Sequence, residues 1–533
     1  MSRDDSVSRP HGRVSRRVAV AAAMAAMSAP LVLSHLTGAR EPATPVTDIA
    51  DIEEIVQPKM ISSHEGVLEV KLVAQPAEVD MGAGHPVSTY TFDGVIPGYT
   101  WEVRPGDTVK IDLVNDLPPL DGEHADHVDM TRPHQWTTTN LHTHGLHVSP
   151  SGNSDNVFIA IPPGLSHQYE IEIPDDHTGG LFWYHPHKHG GVAHQVRAGM
   201  AGALIVRGEI DAVPEIQAAK EQIMVLQAIE LGENYELLDP IPYPKPDESF
   251  YPRKQILYPV NGRMNPRITM YPGEVQRWRM LNAAEGKFMS LHLEDHDLNV
   301  VAWDGLTLHE PEPTSDVMMT AGNRTDVLVK AGAPGIYNLV LSPGSSQHPS
   351  IPGMTHATPE AEHNAELTVR PILTLEVVGE GPEMSLPASL PAYDPPILPI
   401  ARQRTFAYTV ERGENDSFKS FGVDGESFDP DRPPYQVKLG TAEEWTLVND
   451  LDHRYPEHAH GFHIHVNPFK VTRVNSEVLP RPQWRDTFAL SGQDDDSFTC
   501  EMNFDDFTGI FVDHCHVLTH EDLGMMERIE VVP

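Results

Sequence analysis

The stretch Tyr90–Leu117 reads YTFDGVIPGYTWEVRPGDTVKIDLVNDL, and variants of it occur twice more in the chain. It returns as YPVNGRMNPRITMYPGEVQRWRMLNA from Tyr258 and as FGVDGESFDPDRPPYQVKLGTAEEWTLVND from Phe421. Each copy places a turn at Asn/Asp-Gly, then a short strand, a Gly-containing turn, and an alternating strand that ends in Asn. Alternation such as Val109, Ile111 and Leu113 sends every second side chain to one face, the pattern of a half-buried β-strand, while the glycines make the turns. Three such units, spaced by about 165 residues, predict three related β-sandwich domains and an all-β chain.

Composition sets the boundaries around the three copies. The first domain is expected over residues 51–208 and the second over 209–379. A Pro-rich linker follows at 380–400, and the third domain fills 401–533. The 533 residues leave room for three or four domains at about 150 residues each. The 48 prolines and 39 glycines suit short strands joined by many turns. Long loops interrupt the pattern at 118–139, 232–255 and 343–363, and loops of that length in compact domains are often functional or mobile.

The ends of the composition exclude some function classes. A net charge of −39 argues against nucleic-acid binding, which needs a basic surface. Two readings of that charge stand: a solvated acidic surface, or attraction of cationic and metal substrates. Before the first domain, Arg16-Arg17 precedes an apolar run from Val18 to about Leu36, followed by Thr37, Gly38 and Ala39. A charged start, an apolar stretch and small residues describe an export signal over residues 1–39, and the arginine pair points to the twin-arginine route. An uncleaved membrane anchor is the competing reading, against which Pro30 and His35 interrupt the run. The mature chain is then expected to be periplasmic or extracellular, with no membrane span.

Thirty histidines are unevenly spread. Four clusters stand out: His142-Thr-His144, His185-Pro-His187, His460-Gly-Phe-His463-Ile-His465, and His514-Cys515-His516, which runs on to His520 and Met525. In a strand, residues i and i+2 point the same way, so each His-x-His sends two imidazoles towards one place. His514 and His516 share a face while Cys515 points to the other. His460, three residues before His463, faces opposite to His463 and His465 and so joins Cys515. Cys515, His460 and His520, with a weak axial thioether from Met525, form the donor set of a blue copper electron-transfer site. Eight histidines remain: His142, His144, His185, His187, His463, His465, His514 and His516. Eight imidazoles are too many for one ion, and divided as two, three and three they suffice for three coppers. A single His-x-His would say little, because zinc sites use it too; isolated residues such as His11, His35, His64, His85 and His309 read as surface or core. The other cysteine, Cys500, reads as an unpaired buried thiol without a function.

These motifs resemble the four copper-binding signatures of the multicopper oxidases, specifically the three-domain bacterial laccase-like group. The resemblance covers the first and third domains through the motifs and the second through the repeated phrase. It implies three cupredoxin-like Greek-key domains and four copper ions. His460, Cys515, His520 and Met525 then correspond to type 1 ligands. His142 and His463 correspond to type 2, and His144, His185, His187, His465, His514 and His516 to the type 3 pair. The implied reaction is one-electron oxidation of phenolic, aromatic or metal-ion donors at the type 1 copper, coupled to four-electron reduction of dioxygen to water at the trinuclear cluster, with Cys515 as electron relay. Glu521 and Asp155 match acidic positions of the group and are expected to deliver protons. Two positions depart from the family pattern: Gly461 stands where Pro is frequent, and Thr143 where Trp is frequent. Gly461 leaves His458 as a competing ligand for His460.

The same resemblance leaves rivals. A metallo-oxidase specialised for Cu(I), Fe(II) or Mn(II) shares every motif, although the 19 methionines are scattered rather than gathered into a copper-loading patch. The loop holding His348, Met354, His356 and His363 reads either as a metal-binding segment or as a polar loop. A scaffold or copper-binding protein of the same fold is disfavoured by the twelve filled ligand positions. A copper nitrite reductase typically has fewer domains and lacks the full set of paired histidines.

Overall fold

In all three copies of the phrase the Asn/Asp-Gly pair adopts left-handed backbone: φ is 55° and 76° at Asp93-Gly94, 50° and 72° at Asn261-Gly262, and 53° and 81° at Asp424-Gly425. Two successive positive φ angles define the tight turn whose twist matches a β-hairpin, and only Gly, Asn and Asp enter that region cheaply. The second turn of each copy uses Gly106, Gly273 and Gly440, again with positive φ. The phrase is thus a turn code, and the strands it predicts form where it places them. These observations come from a computed structural model that describes residues 52–120, 128–245, 248–342, 369–412, 418–450, 459–490 and 496–533. The expected export signal, His458, residues 121–127 of the loop 118–139 and the loop 343–363 lie outside the described residues.

The closing strand of each copy has the same neighbours. Thr108–Asn115 runs parallel to Val67–Val79 and antiparallel to Ser166–Glu172. Val275–Asn282 runs parallel to Lys220–Leu226 and antiparallel to Arg324–Lys330. Thr441–Asp450 runs parallel to Ile400–Arg412 and antiparallel to Ser497–Phe504. Mixed sheets in which a parallel pair is bracketed by antiparallel partners arise when sequence neighbours cross between two layers, as Greek-key sandwiches require. Each copy therefore builds a two-sheet unit with its own core. In the first, Leu72, Trp101, Ile111, Phe182 and Tyr184 pack between the layers. In the second the core holds Met224, Trp278 and Leu291, and in the third Trp445, Phe462 and Cys515. Residues 381–399, the Pro-rich stretch, contain no helix or strand before the strand that starts at Ile400.

Two sheets carry the histidines. In the first sandwich His142–His144 is an edge strand paired with Gly180–His185, in the register His142↔His185 and His144↔Trp183. Tyr184 points into the core, where it stacks on Trp101 at 3.8 Å. Its neighbours Trp183 and His185 must then point out of the sandwich, together with His142 and His144. In the third sandwich His460–Ile464 lies beside Gly509–Cys515 with Phe462↔Cys515 and His463↔His514. Phe462 and Cys515 belong to the core, so His463 and His514 face outwards. The period-2 rule sends one imidazole set to the outer faces of both sheets and keeps the thiol inside one of them. Among the described residues, no helix is long and apolar enough to cross a membrane.

Candidate metal centre

The first group of donors lies inside the third sandwich. Cys515 Sγ is 3.4 Å from His460 Nδ1 and 3.7 Å from His520 Nδ1, and the two imidazole nitrogens are 3.1 Å apart. His460 reaches the thiol from its strand, whereas His520 arrives on the short helix Leu518–Asp522. That helix turns the chain back: Met525 N–H donates to His520 O at 2.9 Å, and Cys515 N–H to Met525 O at 3.1 Å. Met525 is fully buried in the same core as Cys515. The ring of Phe421 covers His520 with centroids 4.0 Å apart. Burial pushes the Cys515 thiol up to about 12, so a cation is needed to hold it as thiolate. Gly461 does not disturb this arrangement. A Cβ there would meet the His516 Cβ at 3.6 Å, an ordinary contact.

The eight remaining histidines gather between the outward faces of the first and third sandwiches. His142 stacks on His465 and His144 on His463, both with centroids 3.8 Å apart, so the two His-x-His pairs interleave across the interface. The Nε2 atoms of His187, His465 and His514 converge: 3.1 Å separates His187 from each of the others, and 3.4 Å separates His465 from His514. His516 Nε2 lies 3.3 Å from His144 Nδ1. The Nε2 atoms of His142, His185 and His463 are buried without a hydrogen-bond partner. Orphaned buried nitrogens are costly, and a bound cation is what satisfies them. Their opposite nitrogens are anchored: His185 Nδ1 to Pro186 O at 2.8 Å, His463 Nδ1 to Asp486 O at 2.7 Å, and His142 Nδ1 to Asp155 Oδ2 at 2.9 Å. Such anchoring fixes the tautomer that leaves the inward nitrogen a lone pair. Burial holds His144, His185, His463, His465 and His516 far below the usual imidazole range, and His187 and His514 at about 3. These rings are neutral near pH 7. The donor set fits copper: imidazoles in one group and a thiol with two imidazoles in the other.

Both acids singled out from the sequence border this site. Asp155 accepts the Thr143 N–H at 2.9 Å while holding His142. Glu521, fully buried, has Oε2 at 3.0 Å from His514 Nδ1 and Oε1 at 3.5 Å from His187 Nδ1. Burial raises its carboxyl to about 7, against the opposing pull of His187 and His142. The fourteen residues expected from the sequence are thus all buried, and none falls outside the two donor groups and their immediate partners. Cys500 is a free thiol in the core, as expected. His134 is buried with Nδ1 at 2.8 Å from Arg132 O and its ring centroid 5.6 Å from that of His189.

The sequence reading missed a set of polar residues behind the histidines. Asp486 Oδ1 is 3.5 Å from His144 Nε2, and Thr487 Oγ1 is 3.3 Å from both His144 Nε2 and His463 Nδ1. Arg324, on a strand of the second sandwich, grips Asp486 with both Nη atoms, at 2.9 and 2.5 Å. Gly322, with φ of 87°, leaves room for the His516 ring, which a Cβ would meet at 2.8 Å. A lone Arg and an Asp 162 residues apart carry no spacing signal; only the fold brings them together.

Comparison with known proteins agrees with this geometry. Three family profiles, each described as multicopper oxidase, match residues 74–210, 236–364 and 398–533. A multicopper oxidase of Staphylococcus haemolyticus is 25% identical over 486 residues, covering 90% of this chain and 92% of that protein. A laccase of Bacillus stratosphericus is 24% identical over 484 residues, covering 84% and 91%. Among solved structures, a multicopper oxidase from Campylobacter jejuni, described as a metallo-oxidase, superposes with a TM-score of 0.71 at 22% identity, over 91% of this chain and 97% of the other.

Proposed function

Because the chain belongs to the multicopper oxidase family, we propose that its fourteen buried site residues divide into one mononuclear copper site, one trinuclear site and two proton-handling acids. It is a laccase-like oxidoreductase with dioxygen as acceptor, and its cofactors are four copper ions. The observation that carries the division is the facing at 514–516: Cys515 lies in one donor group while its neighbours His514 and His516 lie in the other. In this assignment His460, Cys515, His520 and Met525 hold the type 1 ion. His142 and His463 hold type 2, and His144, His185, His187, His465, His514 and His516 hold the type 3 pair. Bound at these residues, copper would supply one-electron redox chemistry at the mononuclear site and the capacity for four-electron reduction of dioxygen at the cluster.

The chain's own residues supply the rest. The peptide and side-chain bonds between Cys515 and its two histidine neighbours form a short covalent connection between the sites. Reduction of one dioxygen to two waters takes up four protons as well as four electrons. Glu521, beside the Nδ1 atoms of His187 and His514, is placed to hold a proton at the cluster wall, and Asp155 orients His142. The ring of Phe421 covers His520, and Cys515 is wholly buried, so little of the mononuclear site meets water.

Phenols and aromatic amines are the proposed donors, with Cu(I), Fe(II) or Mn(II) as the second reading. The net charge of −39 and the metallo-oxidase described from Campylobacter jejuni favour that second reading. The residues before the first sandwich are proposed to direct export to the periplasm or beyond. The copper-loaded protein is expected to bind four ions per chain and to show a blue thiolate band. Anaerobic bleaching of that band by a panel of phenols and by each metal ion ranks the donors. Faster bleaching by one metal ion than by every phenol would replace the phenol assignment.

A further inference from the structure

We infer that the Arg324–Asp486 pair positions His144 in the copper cluster, so that the second sandwich, which supplies no ligand, determines how the cluster is built. This rests on the copper assignment above.

His144 is oriented differently from the ligands around it. For His185, His463 and His142 the anchored nitrogen is Nδ1 and the bare one Nε2. In His144 it is Nδ1 that faces another cluster ring, 3.3 Å from His516 Nε2, whereas Nε2 faces outwards to Asp486 Oδ1 and Thr487 Oγ1. A carboxylate only accepts, so Asp486 favours the tautomer of His144 with its proton on Nε2 and the lone pair on Nδ1. Thr487 Oγ1 donates to Asp486 Oδ1 at 3.0 Å, leaving its lone pairs available to the neighbouring rings.

Asp486 in turn belongs to a network that draws groups from all three sandwiches. Arg324 approaches it bidentately and spends its other N–H groups on Leu181 O of the first sandwich at 3.1 Å, and on Gly322 O and Asp304 O at 3.0 Å each. Asp304 Oδ2 lies within 3.3 Å of the Asp486 N–H, and its Oδ1 accepts the Arg324 N–H at 3.0 Å. Arg324 and Asp304 are essentially inaccessible to water, and Asp486 nearly so. Gly145, directly after His144 and with φ of 85°, leaves the gap that the pair occupies. A Cβ there would collide with Arg324 Nη2 and lie 2.5 Å from Asp486 Oδ2. A planar fork that locks a carboxylate in one orientation is a rigid support, and loosening it frees the imidazole behind it.

The test separates positioning from folding. Arg324→Met, Asp486→Leu and the double variant are purified alongside the unaltered protein. Thermal midpoint, copper per chain, the blue band and the paramagnetic spectrum of the cluster are measured on each. The double variant removes both charges, so its midpoint is expected to recover relative to either single variant. It is expected to keep the blue band while binding fewer than four coppers or showing an altered cluster spectrum. Rates of blue-band bleaching by donor are expected to stay unchanged, and reoxidation by dioxygen to slow at least tenfold. Arg324→Lys, which keeps the charge but loses the fork, is expected to give an intermediate cluster spectrum. A double variant with four coppers, the native cluster spectrum and native reoxidation would overturn the inference. If the unaltered protein itself failed to bind four coppers, the copper assignment would fall instead.

Discussion

The two donor groups differ in what builds them. The Cys515 site is internal to one sandwich: His460, Cys515, His520 and Met525 lie within 66 positions of sequence, Cys515 and Met525 belong to one hydrophobic core, and Phe421 of that core packs on both imidazoles. The eight-histidine site is an interface, with four rings from each of two sandwiches and polar supports from a third. A site inside a core inherits the stability of its domain, whereas a site between domains exists only while they stay docked. On the proposed assignment, the electron-accepting site is then the robust one and the oxygen-reducing site the conditional one, joined at residues 514–516.

The largest effect expected from breaking the pair falls at the junction. Cys515→Ser removes the thiolate and is predicted to abolish the blue band and donor oxidation together while the eight-histidine site still binds copper. Metal analysis giving three coppers and no colour checks both halves. Next in size, Arg324→Met alone leaves the Asp486 carboxylate buried without its cation. It is predicted to destabilise the chain by roughly 3–5 kcal/mol, read as a lower midpoint in urea.

Glu521→Gln keeps the shape of the carboxyl but cannot pass a proton. Turnover is predicted to fall about 10²-fold while anaerobic bleaching of the blue band keeps its rate. Equal losses in both would place Glu521 in the structure rather than the proton path.

The smallest effect involves no residue of either site. Glu221 is partly buried, which raises its carboxyl, but Arg279 and then Arg207 pull it down to about 2. Its folded value thus lies below the unfolded 4.5. The stabilisation is full above about pH 4.5 and is lost as pH falls towards 2. Discounted for exposure, it amounts to about 2 kcal/mol, and Glu221→Gln is predicted to flatten the acid limb of a stability–pH curve by that much.

Much of this was legible in the sequence because it is local. Asn/Asp-Gly at positions 93–94, 261–262 and 424–425 names its own backbone conformation, and strand alternation names which face each residue takes. The strand period alone therefore puts His460 and Cys515 on one face and His463 on the other. The acids Glu521 and Asp155 came from resemblance, and the contacts at His514, His187 and His142 give them a physical place. Arg324, Asp304, Asp486 and Thr487 were not legible. Their partnership depends on three domains meeting, and nothing in a spacing of 162 residues marks an arginine as the partner of an aspartate. The glycines beside them, Gly145 and Gly322, carry the faint signal: each makes room for a group from another domain.

Whether the two different sites work as one relay is read from oxygen consumption by the four-copper protein supplied with an artificial one-electron donor. A working relay oxidises four donors per dioxygen consumed and releases no hydrogen peroxide. Two donors per dioxygen with stoichiometric peroxide, or a blue and fully loaded protein that takes up no oxygen, would contradict it.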